Sequence, residues 1–157
     1  MDDGERRALQ ALTDAGVEHR VLRHGPVRSL AEAAAARGVE PAAVVKTIVV
    51  RRGEGDLLFV LVPGDREIAW PRLRALLGVS RLSMPDAAAA RDATGYERGT
   101  ITPFGSATAW PVVADERLCG RDVTLGAGAH GVAVALRADD VIAVLGATVA
   151  DVTDPAG

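Results

Sequence analysis

The feature that most constrains this fold is a pair of apolar runs near the middle of the chain, VVKTIVV at 44–50 and LLFVLVP at 57–63, with RRGEGD between them. Both runs are rich in β-branched and large apolar residues, which suit a pleated, half-buried surface and crowd a helix. The six intervening residues are mostly charged and include two glycines, so the chain can reverse there. The runs are therefore expected to form adjacent strands of a hairpin. One charge interrupts the first run. Lys46 is the only lysine in the chain, against 17 arginines. An ammonium is compact and readily shifted in pKa, whereas a guanidinium is planar and always charged. A single lysine among valines reads either as chance in an arginine-rich chain or as a site that requires a compact cation.

The rest of the chain supplies helices and further strands. The spacing of Ala8, Leu9 and Leu12 predicts a helix over 5–15 closed by Gly16, followed by a short strand over 18–22. Ser29 and Glu32 form an S-x-x-E capping box ahead of an alanine run, and Gly38 is placed to end that helix. Pro41 suits another short helical turn. Pro71 and Gly78 bracket a helix over 71–77. A strand is expected over 79–84, then a second alanine-rich helix from Pro85 and Asp86 to Gly95. Beyond it Gly99, Pro103, Gly105 and Pro111 break the chain too often for a long helix. Strands are expected over 111–114, 123–125 and 132–136, a helix over 139–145 begun by Asp139 and Asp140, and a last strand over 148–152. Helices and hairpin-like strand pairs alternate without a regular βαβ rhythm. The expected class is α+β, a twisted, mostly antiparallel, barrel-like sheet flanked by helices.

Composition removes several functions. At 157 residues and 48% hydrophobic content, one domain with one substantial core is expected over 1–157. No apolar run approaches the ~18 residues of a membrane span. The opening MDDGERR lacks the layout of a secretion signal, so a cytoplasmic protein with no membrane partner is expected. A single cysteine, Cys119, makes no internal disulfide and reads as a structural thiol. With His19, His24 and His130 as the only histidines, zinc-ligand spacings and catalytic triads are absent from the sequence, and neither a metal nor another cofactor is expected. A net charge of −3 argues against coating DNA or RNA by bulk electrostatics. Through Arg81, however, there are 13 Lys+Arg against 11 Asp+Glu, and beyond it 5 against 10. A phosphate contact is expected in the first part. Trp70 and Trp110 read as packing residues rather than base-stacking platforms.

Two glycine-rich segments carry more information. Gly126-Ala127-Gly128-Ala129-His130-Gly131 matches G-x-G-x-x-G, but that fingerprint needs a helix after it, and VAVAL reads as a strand. The glycines make a tight turn or allow a backbone to approach a ligand closely. Gly99-Thr100-Ile101-Thr102-Pro103-Phe104-Gly105 has a glycine at each end and a proline between. It is either an ordinary stiff turn or a rigid loop that aims backbone amides at a carbonyl or oxyanion.

Four segments together resemble the YbaK/EbsC family, which includes free-standing prolyl-tRNA deacylases and the editing insertion of bacterial prolyl-tRNA synthetase. They are HGPVRSLAEAAAARGVEPAAVVKTIVV (24–50), TGYERGTITPFG (94–105), VVADERL (112–118) and GAGAHGVAVALRADDVIAVLGATVADV (126–152). The resemblance implies a cleft for the 3′ end of an aminoacyl-tRNA. Lys46 matches the family's key lysine, and Gly99, Thr100, Ile101, Thr102 and Pro103 match the G-x-x-x-P loop that positions the aminoacyl carbonyl. Thr47, Tyr96, Phe104, Gly105, Gly126, Ala127, Gly128, His130 and Gly131 are implied to line or support the substrate. Thr100 and Thr102 depart from the small residues common there, and His130 matches a functional histidine of some alanine-specific relatives.

The implied activity is substrate-assisted deacylation of mischarged tRNA, cysteinyl- or alanyl-tRNA for proline above all, by a monomer or homodimer with prolyl-tRNA synthetase as a further partner. The alternative is a module that binds a nucleotide or aminoacyl-tRNA without turning it over.

Overall fold

The computed structural model describes residues 2–157. In chain order its elements are α1 (Asp3–Asp14), β1 (Arg20–Arg23), α2 (Leu30–Arg37), a 3-10 turn (Pro41–Ala43), β2 (Val45–Gly53), β3 (Asp56–Pro63) and β4 (Arg66–Ile68). There follow α3 (Trp70–Leu77), α4 (Ala87–Thr94), β5 (Val112–Asp115), a second 3-10 turn (Glu116–Leu118), β6 (Asp122–Gly126), β7 (Val132–Arg137), α5 (Ala138–Leu145), β8 (Thr148–Ala150) and β9 (Thr153–Pro155).

The expected hairpin forms, with Lys46 opposite Val62 and Val49 opposite Phe59. Every residue of β3 after Asp56 is buried. Leu57, Phe59 and Leu61 enter the larger core, while Leu58, Val60 and Val62 enter a second core on the other face. A strand covered on both faces needs no polar alternation, which accounts for the unbroken run LLFVLVP. Strand β2 divides in the same way: Val45 and Val49 belong to the larger core, Val50 to the second, with Ile48 packed against that second core. Each large side chain so buried contributes about 1.5–3 kcal/mol.

The caps of α2 also form. Ser29 Oγ accepts from the Glu32 amide at 3.1 Å. The Glu32 carboxylate accepts from the Arg28 amide at 2.6 Å, one residue earlier than a capping box normally closes. The chain then leaves the helix through Gly38 in the left-handed region.

Among the described residues, four of the six strand pairings are antiparallel. Strand β5 runs parallel to both β3 and β8, because long crossovers containing helices connect them. The strands are divided among three sheets, ordered β1-β7-β6, β2-β3-β5-β8 and β4-β9. A single bridge from Val44 to Thr124 joins the first two.

One expected strand is corrected. Segment 79–84 is not a strand and makes only an isolated bridge between Ser83 and Arg51. Arg81, Ser83 and Met84 are exposed and only Leu82 packs inward, so there is no continuous buried face to extend the ladder. Pro85 then lacks the amide a next ladder bond would need. The three-residue pair β4 and β9 is an addition that the sequence pattern did not signal.

Candidate active site

Strand β2 lies at the outside of its sheet. Its free edge is pinned at one end by the Val44–Thr124 bridge and at the other by the Arg51–Ser83 bridge. Between those pins it borders a cavity of about 660 Å³ instead of another strand. Lys46 and Thr47 lie on this edge, Gly99, Ile101 and Gly126 form part of the facing wall, and residues 84–87 lead from it into α4.

The loop 99–105 is held from behind. The Tyr96 hydroxyl, buried in the fold, donates to the Phe104 carbonyl at 2.6 Å, and the Arg7 guanidinium lies 4.7 Å from the centre of its ring. Burial pushes the Tyr96 phenol above its ordinary pKa, with the nearby Arg7 opposing. Phe104 is in the larger core. Thr100 and Thr102 turn inward: Thr100 Oγ1 donates to the Glu97 carbonyl at 2.7 Å, and Thr102 Oγ1 accepts from the Phe104 amide at 3.3 Å. The loop side chain that meets the cleft is therefore that of Ile101. The Thr100 amide is consumed by Glu97, whereas the amides of Gly99 and Ile101 donate to no acceptor among the described residues.

The segment 126–131 joins β6 to β7 and is followed by a strand, not a helix. It is a turn and also a place of close backbone approach, but the approaching backbone is that of Gly4 in α1. The Gly128 amide donates to the Thr100 carbonyl at 3.0 Å, which ties this turn to the loop. Ala127 is buried in the larger core. Gly131 accepts through its carbonyl from the His24 amide at 3.0 Å. His130 is exposed and sits beside Gly99: a Cβ at Gly99 would lie 3.4 Å from its Cε1. Of the residues singled out in the sequence, the cleft gathers Lys46, Thr47, Gly99, Ile101 and Gly126. Tyr96, Thr100, Thr102, Pro103, Phe104, Gly105, Ala127, Gly128, His130 and Gly131 stand behind or beside that wall.

Lys46 alternates with Thr47 along β2 and so leaves the strand on the face of Ile48 and Val50. Its ammonium donates to the Arg66 carbonyl. Burial lowers its pKa, while Glu67 and Asp65 pull the other way. Thr47 Oγ1 is sealed without a hydrogen-bond partner.

Two further cations of the cleft, Arg37 and Arg98, escaped the sequence reading. Arg37, the last residue of α2, lines the cavity and donates from Nη1 to Thr124 Oγ1 at 3.1 Å. Its Nε is buried without a partner, and burial lowers its pKa. It makes no ion pair among the described residues. A desolvated guanidinium without a counter-charge is costly unless an anion completes it. In the sequence Arg37 reads only as a cation favourably placed at a helix C-terminus. Among the described residues no group of three or more His, Cys, Asp or Glu side chains could hold a metal ion.

An open strand edge, two loop residues whose amides have no acceptor among the described residues, and three cations, Arg37, Lys46 and Arg98, surround one cavity of an α+β fold. The chain belongs to the aminoacyl-tRNA editing domain family, whose pattern matches residues 24–144. A solved structure described as a candidate trans-editing enzyme for prolyl-tRNA synthetase superposes with a TM-score of 0.88 at 28% identity, covering 98% of this chain and 99% of that one. The proline–tRNA ligase of Desulfotalea psychrophila is 39% identical over 80 residues, 51% of this chain and 14% of the ligase. The EbsC protein of Enterococcus faecalis, described as a candidate Cys-tRNA(Pro)/Cys-tRNA(Cys) deacylase, is 23% identical over 117 residues, 74% of this chain and 71% of that protein. The chain thus spans 14% to 18% of the length of the proline–tRNA ligases it matches.

Proposed function

We propose that this chain is an aminoacyl-tRNA deacylase that acts in trans, as a single domain, on tRNA for proline carrying cysteine or alanine. The observation that carries the reading is the presence of Lys46 and the uncommitted Gly99 and Ile101 amides around one cavity. In the proposed reaction water attacks the ester carbonyl carbon, the bond to the ribose oxygen breaks, and that oxygen takes up the proton. The free ribose hydroxyl assists the water, or, for a cysteinyl ester, the substrate thiol first displaces the ribose oxygen, which takes up the thiol proton, and water then opens the resulting cyclic thioester. The loop amides hold the carbonyl oxygen as negative charge develops on it, and Lys46 and Arg37 hold the terminal nucleotide and its phosphate.

The cleft lining supports a substrate-assisted route: it contains no Ser, Cys or His, and its one carboxylate, Asp86, already caps α4 by accepting from the Ala89 amide at 2.8 Å. The same lining is compatible with binding alone, so turnover is the decisive measurement. Tested against a panel of mischarged tRNAs, Lys46→Ala should lose about a hundredfold or more in kcat/KM, while Cys119→Ala keeps full activity. Full activity in both variants would discard the mechanism. Tight binding with hydrolysis at the uncatalysed rate in the wild type would establish the non-catalytic module.

A further inference from the structure

A second cavity, of about 610 Å³, lies farther along the β2 edge and is lined by Arg51, Arg52, Arg74 and Arg81 with Ser80 and Ser83. No carboxylate lines it, in a chain whose net charge is −3. Arg52 is paired with Asp56 at 3.0 Å. Arg51, Arg74 and Arg81 make no ion pair among the described residues. The bridge between Arg51 and Ser83 uses main-chain atoms alone, at 2.7 and 3.0 Å, and does not require an arginine. Gathered like charges repel one another, so the fold gains nothing electrostatic from this cluster by itself. Its forked donors match the geometry of phosphate oxygens.

The position of the groove decides which phosphates. Strand β2 lines the cleft through 45–49 and the groove through 51–53, and the segment 80–87 lines the groove with its first residues and the cleft with its last. From Val49 to Arg52 is three residues, roughly 10 Å along a strand. A polymer whose end is seated in the cleft and which leaves along the β2 edge passes directly over the arginines. A mononucleotide confined to the cleft would not reach them. We propose that the groove is a phosphodiester track for the single-stranded nucleotides that immediately precede the esterified 3′ end of the RNA. This rests on the reading of the cleft as the seat of that end. It also places the phosphate contact in the first part of the chain, where Lys+Arg exceed Asp+Glu by 13 to 11.

The test compares the wild type with a triple variant, Arg51→Gln, Arg74→Gln and Arg81→Gln, and with the corresponding triple Arg→Lys variant. Two measurements are made across a salt series: binding of a fluorescent single-stranded RNA by anisotropy, and KM for a mischarged tRNA alongside hydrolysis of a 3′-aminoacyl-adenosine. Each single-strand phosphate contact adds about 0.7 to the slope of log affinity against log salt, so losing three should flatten it by about 2, a roughly twentyfold difference between about 50 and 200 mM. The lysine variant should keep the slope, and aminoacyl-adenosine hydrolysis should be unchanged in both.

An unchanged slope in the glutamine variant overturns the proposal. So does an equal loss on aminoacyl-adenosine, because the arginines would then serve the cleft or the fold. RNA binding that ignores the substitutions while binding to an acidic protein surface is lost would reassign the groove and overturn the track. If the wild type hydrolyses neither ester, the reading of the cleft fails separately, and the RNA-binding slope still decides the groove.

Discussion

The two glycine-rich segments of this protein each have a side turned to the cleft and a side turned to α1, and the two sides are built differently. On the cleft side, a Cβ on Gly99 would meet only the His130 ring at 3.4 Å, and one on Gly126 would come no closer than 3.8 Å to a neighbour. On the α1 side there is no room. A Cβ on Gly105 would lie 2.6 Å from the Arg7 carbonyl oxygen, and one on Gly128 would lie 2.3 Å from the Gly4 carbonyl oxygen. The same residue type therefore leaves space for a ligand on one side and lets two backbones touch on the other. The tight side holds the open side still: α1 and Tyr96 brace the loop whose Gly99 and Ile101 line the cavity.

Substitutions can break this contrast. The largest effect is expected at the tight side. Gly128→Ala combines a φ of +83° with contacts at 2.3 Å to Gly4 and 2.9 Å to Tyr96, and should cost about 3 kcal/mol of stability or more. Denaturant unfolding measures it, and a loss below about 1 kcal/mol would erase the distinction between the two sides.

On the open side, Gly99→Ala meets a φ of +87°, a strain of about 1–2 kcal/mol. Its larger consequence should be catalytic: a displaced loop lowers kcat/KM by roughly tenfold to a hundredfold. Undiminished hydrolysis in a folded Gly99→Ala protein would place the working amides elsewhere. The smallest effect sharpens the contrast from behind. Tyr96→Phe removes the buried hydrogen bond to Phe104 and should cost about 1–2 kcal/mol while leaving hydrolysis within about threefold of wild type. A loss of activity far beyond that would make Tyr96 part of the site and not merely its support.

Local signals were legible in the residues themselves. The β2–β3 hairpin, the Ser29 and Glu32 caps and the helix ends at Gly38, Gly78 and Gly95 all depend on neighbours a few positions away. The strand expected over 79–84 failed because alternation says nothing about whether a partner edge is continuous. The pairing of β4 with β9 joins Arg66 to Pro155, and no short-range pattern announces it. In the site, Lys46 and the 99–103 loop stood out through composition and resemblance. Arg37 did not, because its meaning lies in a hydrogen bond to Thr124 across 87 positions of sequence. The arginines of the groove stood out only as an excess of charge in one part of the chain.

By itself the sequence determined most of the strands and helices, where most of them stop, and some of the residues that carry unusual chemistry, since these follow from side-chain shape, backbone freedom and charge over short spans. Only the tertiary structure decided that the β2 edge stays open between two bridges and that Thr100 and Thr102 turn inward while Ile101 faces the cavity. It also decided that Arg37 is left without a counter-charge at the cleft. Those outcomes depend on which distant backbone arrives to fill or leave each space, and packing between remote segments is settled only when the whole chain closes on its cores.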